Sequence, residues 1–234
     1  MDRTETLAKK YLDTLGFDSI VYEPDGNIPP DFLANNKVAI EVTRLNQHIN
    51  HNGIHRGLQE TGQPLWDSLE KLLKEFNTFY NGKSYFVLLH YRRPIQKLKT
   101  LRPQFRKVLE KFLKNPVTGG PEYNVTETIS LQFLETSIQD KNTFIMGGAS
   151  DLNSGGFVIS ELERNIRICL DKKTNLIKRH RAKYPEWWLI LADTIGYGLS
   201  EYNRKEFRKV VSIENNWDKV ILIDPTNPVK AYII

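Results

Sequence analysis

Two acidic residues near the start of the chain have the type and spacing that a metal ion would need. Asp31 follows two prolines, and Glu41, ten residues later, is the lone acid of the apolar segment VAIEV. A carboxylate in apolar surroundings is costly unless a cation, a basic side chain or several hydrogen bonds accompany it. Oxygen atoms of two neighbouring carboxylates are suitable ligands for a hard divalent ion. The pair therefore indicates a candidate metal site.

The elements that must position these two acids can be predicted from the same segment. Residues 38–45 alternate as a strand does, with three aliphatic side chains on one face and Glu41 on the other. Residues 31–34 are predicted to form a second strand, and Asn35-Asn36 is typical of the hairpin turn between them. Asp31 and Glu41 would therefore lie on neighbouring strands.

Glu5 lies on a helix that is predicted to precede these strands. The helix over residues 2–15 has an apolar arc of about 140°, and Glu5 falls about 20° beyond its edge. Its carboxylate could therefore face a cleft from the rim of the core. An ordinary first-turn glutamate, favoured by the helix dipole, is an equally good interpretation.

This arrangement resembles the PD-(D/E)XK nuclease superfamily, whose members share a restriction-endonuclease-like fold. In that family a glutamate-bearing helix leads into a small sheet, an aspartate follows a proline at the second strand, and the third strand ends in Glu-x-Lys. Pro30-Asp31 matches the first half of the motif, and Glu41-Val42-Thr43 matches the second, with Thr43 in the position of the lysine. The resemblance covers residues 1–45 and, more loosely, 159–193, so about half of the chain is unmatched.

Lys173 resembles a relocated form of the lysine that is missing at Thr43, because in some members of the superfamily the catalytic lysine stands on the core helix after the third strand. On a helix predicted over residues 159–182, Lys173 lies near the middle of the apolar face and Lys172 at its margin. A lysine there needs a partner or a route to water, and a packed stem whose ammonium group reaches solvent is the alternative. The other members of that face are Leu162, Ile166, Cys169, Leu170, Leu176 and Ile177.

The resemblance implies an α/β fold with a restriction-endonuclease-like core of order α-β-β-β-α-β and a large insertion after the third strand. The chain would be a single nuclease-like domain over residues 1–234, with the insertion at about 46–157. The remaining pattern predicts helices over 63–80, 103–113 and 203–211, and strands over 19–23, 83–91, 126–134, 143–146, 187–193, 220–224 and 229–234. Residues 147–156, GGASDLNSGG, are predicted to form a loop.

The function that the resemblance implies is that of an endonuclease, a hydrolase that cleaves phosphodiester bonds in DNA with Mg²⁺ or Mn²⁺. Asp31 and Glu41 would be the metal ligands, and Lys173 and Glu5 would be further catalytic residues. DNA would be the partner, a homodimer is left open, and restriction or phage defence is the commonest setting for such nucleases. The alternative is a catalytically inactive module of the same fold that binds nucleic acid or a protein partner, and Thr43 favours it.

Basic residues are concentrated in two segments of a chain whose formal net charge is +5. Such stripes fit a polyanionic partner, because neutralising phosphates releases counterions. Solvated helix faces are the alternative interpretation. The first segment contains Arg92, Arg93, Lys97, Lys99, Arg102, Arg106, Lys107, Lys111 and Lys114 with Glu110 as its one acid, and the second contains Lys172, Lys173, Lys178, Arg179, Arg181 and Lys183.

Three histidines offer a rival metal site. His48, His51 and His55 have the spacings of three and four that helical zinc ligands can have. Asn52-Gly53 between them breaks the helix that this geometry requires, so a loop after the third strand is the preferred interpretation.

Several classes of protein are disfavoured by composition. The single cysteine, Cys169, excludes an internal disulfide and any cysteine zinc cluster. No apolar run approaches the roughly 18 residues of a membrane-spanning helix. The opening MDRTE does not resemble a signal peptide. A soluble, cytoplasmic protein without a membrane partner is expected.

Overall fold

The chain forms a mixed α/β structure that divides into two compact units. The computed structural model describes residues 1–51, 54–137 and 141–234. One unit consists of residues 1–55 and 156–234, and the other consists of residues 56–155. The second unit falls within the segment 46–157, for which an insertion is predicted.

Helices and strands alternate along most of the chain. In chain order the elements of the described residues are α1 (Arg3–Leu12), β1 (Ile20–Tyr22), β2 (Phe32–Ala34), β3 (Val38–Leu45), β4 (His48–His51), β5 (Ile54–Gly57), α2 (Gln59–Glu75), a 3₁₀ turn (Phe76–Phe79), β6 (Ser84–Tyr91), α3 (Leu98–Lys114), β7 (Glu122–Asn124), β8 (Ile129–Thr136), β9 (Phe144–Asp151), α4 (Val158–Ile177), a 3₁₀ turn (Arg181–Lys183), β10 (Glu186–Asp193), α5 (Glu201–Val210), β11 (Lys219–Asp224) and β12 (Asn227–Ile233). None of the helices in these ranges is long and apolar enough to cross a membrane.

The first unit is built on a six-stranded sheet of order β1-β2-β3-β10-β11-β12. Its central strands β3, β10 and β11 are parallel neighbours, and antiparallel strands complete both edges. The pairing of β3 with β10 runs from Val38 opposite Glu186 to Leu45 opposite Asp193. Central parallel strands are covered on both faces, which explains why WWLILAD is buried along its whole length.

Helices cover both faces of this sheet. On one face α1 buries Leu12 in a cluster that contains Ile40. On the other face α4 buries Leu162 in a cluster that contains Ala39. Because side chains alternate along a strand, Glu41 lies on the same face as Ala39 and therefore faces α4.

The hairpin between β2 and β3 is formed by two asparagines in the left-handed region. Asn35 and Asn36 have φ angles of 49° and 54°. Asparagine tolerates this region better than most residues, and two such residues in succession give a turn that matches the twist of the strands. The resulting register places Phe32 opposite Ile40, so the residue before β2 lies close to the middle of β3.

The second unit is a four-stranded sheet of order β7-β8-β6-β9 with α2 and α3. β6 pairs antiparallel with β8 and parallel with β9. A single hydrophobic cluster joins the helices to the sheet, with Leu69 from α2, Phe105 from α3, Val87 from β6 and Phe133 from β8 among its members.

The prediction of a loop over residues 147–156 is wrong for the first half of that segment. β9 continues through both glycines as far as Asp151 and pairs with β6. A Cβ atom at Gly147 would lie 3.0 Å from Cβ of Phe86 and 3.1 Å from a methyl carbon of Leu88. These glycines therefore allow a close approach of side chains from the neighbouring strand, and they do not mark a turn.

The preferred interpretation of the segment that contains His48, His51 and His55 as a loop is also wrong. The described part of this segment forms β4 and β5, which pair as a two-stranded sheet. His48 begins this hairpin, and both its backbone N and its Nδ1 contact Oδ1 of Asn165 on α4, at 2.8 and 3.0 Å. Because Asn165 is 117 residues away from His48 along the chain, the sequence around His48 could not predict this contact. Asn52 and Gly53 lie outside the described residues.

Candidate active site

Asp31, Glu41 and Lys173 come together at the junction of β2, β3 and α4. The Nζ atom of Lys173 lies 2.6 Å from Oε2 of Glu41 and 3.8 Å from Oδ2 of Asp31. Asp31 immediately precedes β2, Glu41 is in the middle of β3, and Lys173 is in the last third of α4. The fold therefore places one ammonium group between two carboxylates that are 132 and 142 residues away from it along the chain.

Asp31 is held in place by the backbone of β3. Its Oδ2 accepts a hydrogen bond of 2.7 Å from the backbone N of Val42. Its carbonyl oxygen accepts a hydrogen bond of 2.9 Å from the backbone N of Glu23, which closes the turn before β2. The side chain is 25% exposed, so the carboxylate is both fixed and accessible.

Glu41 is buried and only half satisfied. Its side chain is 1% exposed, and Lys173 occupies one of its carboxylate oxygens. The other oxygen, Oε1, is buried without a hydrogen-bond partner in the part of the chain that the structure describes. A buried oxygen of this kind costs free energy unless another group binds it. Glu41 therefore offers an open ligand position beside Asp31.

The electrostatic environment raises the pKa of both acids. Burial is the largest cause for Glu41, and the nearby charge of Asp31 adds to it, whereas the ammonium group of Lys173 opposes it. For Asp31 burial again raises the pKa, and Lys173 and the hydrogen bond from Val42 oppose it. The site would thus release protons when a cation binds.

We expect the affinity for a divalent ion to fall as the pH is lowered from neutral into the acid range, toward the raised pKa values of Asp31 and Glu41. Protons compete with the metal at both carboxylates, and the raised pKa values move this competition above the usual range for carboxylates, about pH 4. Calorimetric titration with Mn²⁺ at several pH values measures it. An affinity that stays constant over this range would show that the two acids do not bind the ion.

Lys173 reaches the acids because α4 carries it on the face that covers the sheet. Five of the six apolar residues predicted for this face are buried. Leu176 is the exception, at 52% exposed, because it borders an open pocket near the end of the helix. The neighbouring Lys172 points elsewhere and donates a hydrogen bond of 3.1 Å to the carbonyl oxygen of His55. Lys172 is therefore a natural control for Lys173.

A pocket of about 240 Å³ opens onto the three residues. Among its lining residues are Glu23, Asn27, Asp31, Glu41, Lys173 and Leu176. Glu23 is an acid that the sequence reasoning missed. Its φ of 45° is unusual for a residue with a side chain, and only the turn-forming sequence EPDG hints at this conformation.

Glu5 is occupied at the start of α1. Its Oε2 accepts hydrogen bonds from the backbone N of Asp2, at 2.6 Å, and from the hydroxyl group of Tyr22, at 3.0 Å. The first pair belongs to a capping box. No hydrogen bond or ion pair joins Glu5 to Asp31, Glu41 or Lys173 within the described ranges. Its negative charge nevertheless helps to raise the pKa of Asp31.

The hydroxyl group of Tyr22 is affected by both Glu5 and Glu23. The carboxylate of Glu23 is the largest cause that raises the pKa of the Tyr22 hydroxyl group, and burial and Glu5 add to it. The hydroxyl group donates its hydrogen bond to Glu5.

The described residues give little support to a metal site formed by His48, His51 and His55. His48 is buried, and its ring contacts Asn165. The side chain of His51 lies outside the described residues. Within residues 1–51, 54–137 and 141–234, no group of three or more His, Cys, Asp or Glu side chains is suited to a metal ion. Asp31 and Glu41 are a pair, so an ion between them would need further ligands from water or substrate.

Several side chains of the two basic segments are engaged in ion pairs and are therefore less available to a polyanionic partner than the sequence indicates. Arg102 and Arg106 both form ion pairs with Glu75 of α2. In the second segment Arg181 pairs with Asp218, and Lys183 pairs with Asp25. These acids are distant in sequence, so counting charges inside each segment could not reveal them. On α3 the exposed residues Lys107, Lys111 and Lys114, spaced four and three apart, remain as one stripe.

No protein-family model, curated protein or solved structure matches this chain.

Proposed function

We propose that this protein is a divalent-metal-dependent endonuclease that hydrolyses phosphodiester bonds in DNA. The observation that carries the proposal is the convergence of Asp31, Glu41 and Lys173, with one buried oxygen of Glu41 left without a partner among the described residues. Two carboxylates at neighbouring strands of a mixed sheet and a lysine on the helix that covers it, reached from an open pocket, also fit the resemblance to the PD-(D/E)XK superfamily.

The donor set fits a hard cation such as Mg²⁺ or Mn²⁺. Asp31 and Glu41 contribute oxygen atoms only, which is the preference of these ions. The Oε1 atom of Glu41 and the accessible carboxylate of Asp31 are the positions that would hold it. When bound, such an ion supplies Lewis-acid polarisation of a phosphate and makes a water molecule more acidic.

Lys173 has two tasks in this proposal. Before substrate and metal bind, its ammonium group compensates the charge of Glu41. With a phosphate in the pocket, the same group would donate a hydrogen bond to the negative charge that develops during the reaction. The lysine lies on a helix that is packed against the sheet, so its stem is held in a defined direction.

A catalytically inactive module that binds nucleic acid or a protein is the second candidate. Thr43 occupies the motif position of the lysine. In addition, Lys173 already compensates the buried carboxylate without a metal ion. A fold that keeps this ion pair for stability alone would have the same geometry.

Metal binding and DNA cleavage by the purified full-length chain separate the two candidates. The proposal requires nicking or linearisation of plasmid DNA with Mg²⁺ or Mn²⁺, its loss on chelation, and saturable binding of Mn²⁺ in calorimetry. A chain that binds DNA but neither binds Mn²⁺ nor cleaves would be the inactive module.

We expect the lysine stripe of α3 to contribute to DNA affinity by neutralising phosphates. Changing Lys107, Lys111 and Lys114 to glutamate should weaken binding and flatten its dependence on salt, by about 0.9 in the logarithmic slope for each phosphate of the duplex that is no longer neutralised. Fluorescence anisotropy with a labelled duplex at several salt concentrations measures both quantities.

The matched control makes the same change of net charge at scattered exposed positions, Lys10, Lys37 and Lys71. If both triple variants change the slope equally, overall charge and not the stripe governs binding. If the parental chain binds independently of salt, a polyanionic partner is the wrong choice.

A further inference from the structure

A second pocket lies in the unit formed by residues 1–55 and 156–234. It has a volume of about 180 Å³ and is located where the parallel strands β3, β10 and β11 end. Its polar lining residues are Arg3, Thr4, Arg44, Thr194, Tyr197 and Thr226. The C-terminal edge of parallel strands is where α/β proteins commonly bind ligands.

This pocket is separate from the candidate active site. Arg44 lies three residues after Glu41 on β3, so the two side chains are on opposite faces of the sheet. Three residues of strand also separate them by about 10 Å along the strand axis. None of the polar residues that line the second pocket lines the first.

The pocket contains two arginines whose charges are not compensated by a carboxylate. In the described parts of the chain, neither Arg3 nor Arg44 forms an ion pair with an acidic side chain. The Nε of Arg44 lies 3.4 Å from Oγ1 of Thr194, which in turn donates a hydrogen bond of 2.8 Å to the carbonyl oxygen of Leu45. This contact orients the guanidinium group and leaves its two terminal nitrogens for another partner.

Two acids at this edge of the sheet, Asp193 and Asp224, are directed into their own loops. Asp193, at the end of β10, accepts hydrogen bonds from the backbone N atoms of Ile195 and Gly196, at 2.9 and 2.8 Å. Asp224, at the end of β11, accepts hydrogen bonds from the backbone N and the hydroxyl group of Thr226, at 2.8 and 2.7 Å. Neither acid lines the pocket.

The start of α1 borders the pocket but is already capped by two acids, because the Asp2 side chain accepts a hydrogen bond from the backbone N of Glu5 and the Glu5 side chain accepts one from the backbone N of Asp2. Arg3 and Thr4 are the first two residues of this ten-residue helix. The partial positive charge of a helix N-terminus favours an anion. Here Asp2 and Glu5 already compensate this charge, so the positive character of the pocket depends on the two arginines.

We propose that this pocket binds a terminal phosphate group, carried by a small molecule or by the end of a nucleic acid. Guanidinium groups form paired hydrogen bonds with phosphate oxygens, and two of them match the charge of nearly −2 that a terminal phosphate has at about pH 7. The hydroxyl groups of Thr4 and Tyr197 are further donors. The volume is below the roughly 300 Å³ at which pockets enclose a whole drug-sized ligand, so one phosphate group with its first attached atoms is the expected occupant.

The test is a binding measurement with the full-length chain in metal-free buffer. The probes are inorganic phosphate, adenosine monophosphate, and one oligonucleotide with and without a 5′-phosphate, each at constant ionic strength. Arg3→Gln and Arg44→Gln should each weaken phosphate binding by about 10- to 100-fold, the loss expected for one charge-assisted contact. Arg56→Gln, at an exposed arginine outside the lining of this pocket and outside both basic segments, is the matched control and should bind as the parent does.

Each outcome either identifies what carries the phosphate group, a small molecule or a nucleic-acid end, or contradicts the proposed phosphate site. Tighter binding of the monophosphate than of inorganic phosphate supports a small-molecule ligand, and binding that requires the 5′-phosphate of the oligonucleotide supports a nucleic-acid end. Parental affinity in both Arg3→Gln and Arg44→Gln, or equal losses in the Arg56→Gln control, would overturn the proposal. Both arginines are exposed, so thermal unfolding of the variants should match that of the parent. The test is independent of cleavage at Asp31 and Glu41.

Discussion

Replacing Glu41 with glutamine, or Asp31 with asparagine, is expected to abolish metal-dependent DNA cleavage while the fold persists. Each change keeps the size of the side chain and removes one of two charged oxygen donors from the site. Loss of a residue behind a metal ligand commonly costs about 10- to 100-fold in affinity or activity, so loss of a ligand itself should cost about 1,000-fold or more. Calorimetry with Mn²⁺ and a plasmid-nicking assay measure the two effects together.

Asp18→Asn is the matched control for this experiment, because Asp18 is an exposed acid of the same unit that lies outside the pocket. Thermal unfolding of all three variants separates a defective site from a defective fold. If both site variants cut DNA at the parental rate, Asp31 and Glu41 are not the active site. If only the Asp18 variant loses activity, the site lies elsewhere on this unit.

Replacing Lys173 with methionine is expected to lower cleavage by about 100-fold or more at saturating metal, the order of effect seen when one transition-state donor is removed. Methionine keeps most of the apolar stem and removes only the charge. Metal binding should survive, since Asp31 and Glu41 remain. Lys172→Met is the control on the same helix, and its cleavage rate should stay close to that of the parent.

The ion pair between Lys173 and Glu41 determines how the Lys173→Met substitution should affect the free energy of unfolding. A lysine packed on an apolar face would be expected to cost stability, so its removal should be neutral or stabilising. Here it pairs with Glu41, which is 1% exposed, and its loss leaves a buried carboxylate without a counter-charge. Such a loss destabilises by about 3 kcal/mol. The pKa of Glu41 should rise further, because Lys173 is the group that opposes the effect of burial.

The pH dependence of this loss has a definite sign. A carboxyl group whose pKa is raised by folding favours the folded state when it is protonated, so stability is gained as the pH falls through the raised pKa. The Lys173→Met variant should therefore be closest to the parent in mild acid and furthest from it above neutral pH. Adding Glu41→Gln to this variant should restore much of the missing stability. A variant with reduced stability but parental activity at saturating metal would make Lys173 a structural residue, and a variant with parental stability as well would show that the ion pair with Glu41 is dispensable.

Much of the candidate site could be predicted because its signals are local. Alternation alone placed β3 at residues 38–45, with the bounds that the structure shows. The pair Asn35-Asn36 marked a hairpin, since few residues other than asparagine and glycine adopt its left-handed conformation readily. Helical periodicity placed Lys173 among apolar neighbours, and a lysine in that position needs a partner whatever the family.

The rest depends on contacts between residues that are far apart in sequence. His48 at the start of β4 is anchored by Asn165 of α4, and a Cβ atom at Gly147 of β9 would crowd Phe86 and Leu88 of the neighbouring strand. The pairing of Arg102 and Arg106 with Glu75 likewise requires α2 beside α3. Glu23 enters the pocket through a backbone conformation that its residue type does not favour. None of these features produces a periodic pattern in the local sequence, so sequence patterns alone could not predict them.

The pairing of β3 with β10 has a consequence for biosynthesis. β3 ends at Leu45 and β10 begins at Glu186, so 140 residues must be translated between two strands that are neighbours in the sheet. At roughly 5 to 20 residues per second this interval lasts about 7 to 30 s, and residues 56–155 can fold within it because domains generally fold as units. Asp31 and Glu41 remain in solvent on an incomplete chain until α4 and β10 emerge. A nascent or truncated chain would therefore have its acids but no assembled site, so any activity at these residues belongs only to the finished molecule.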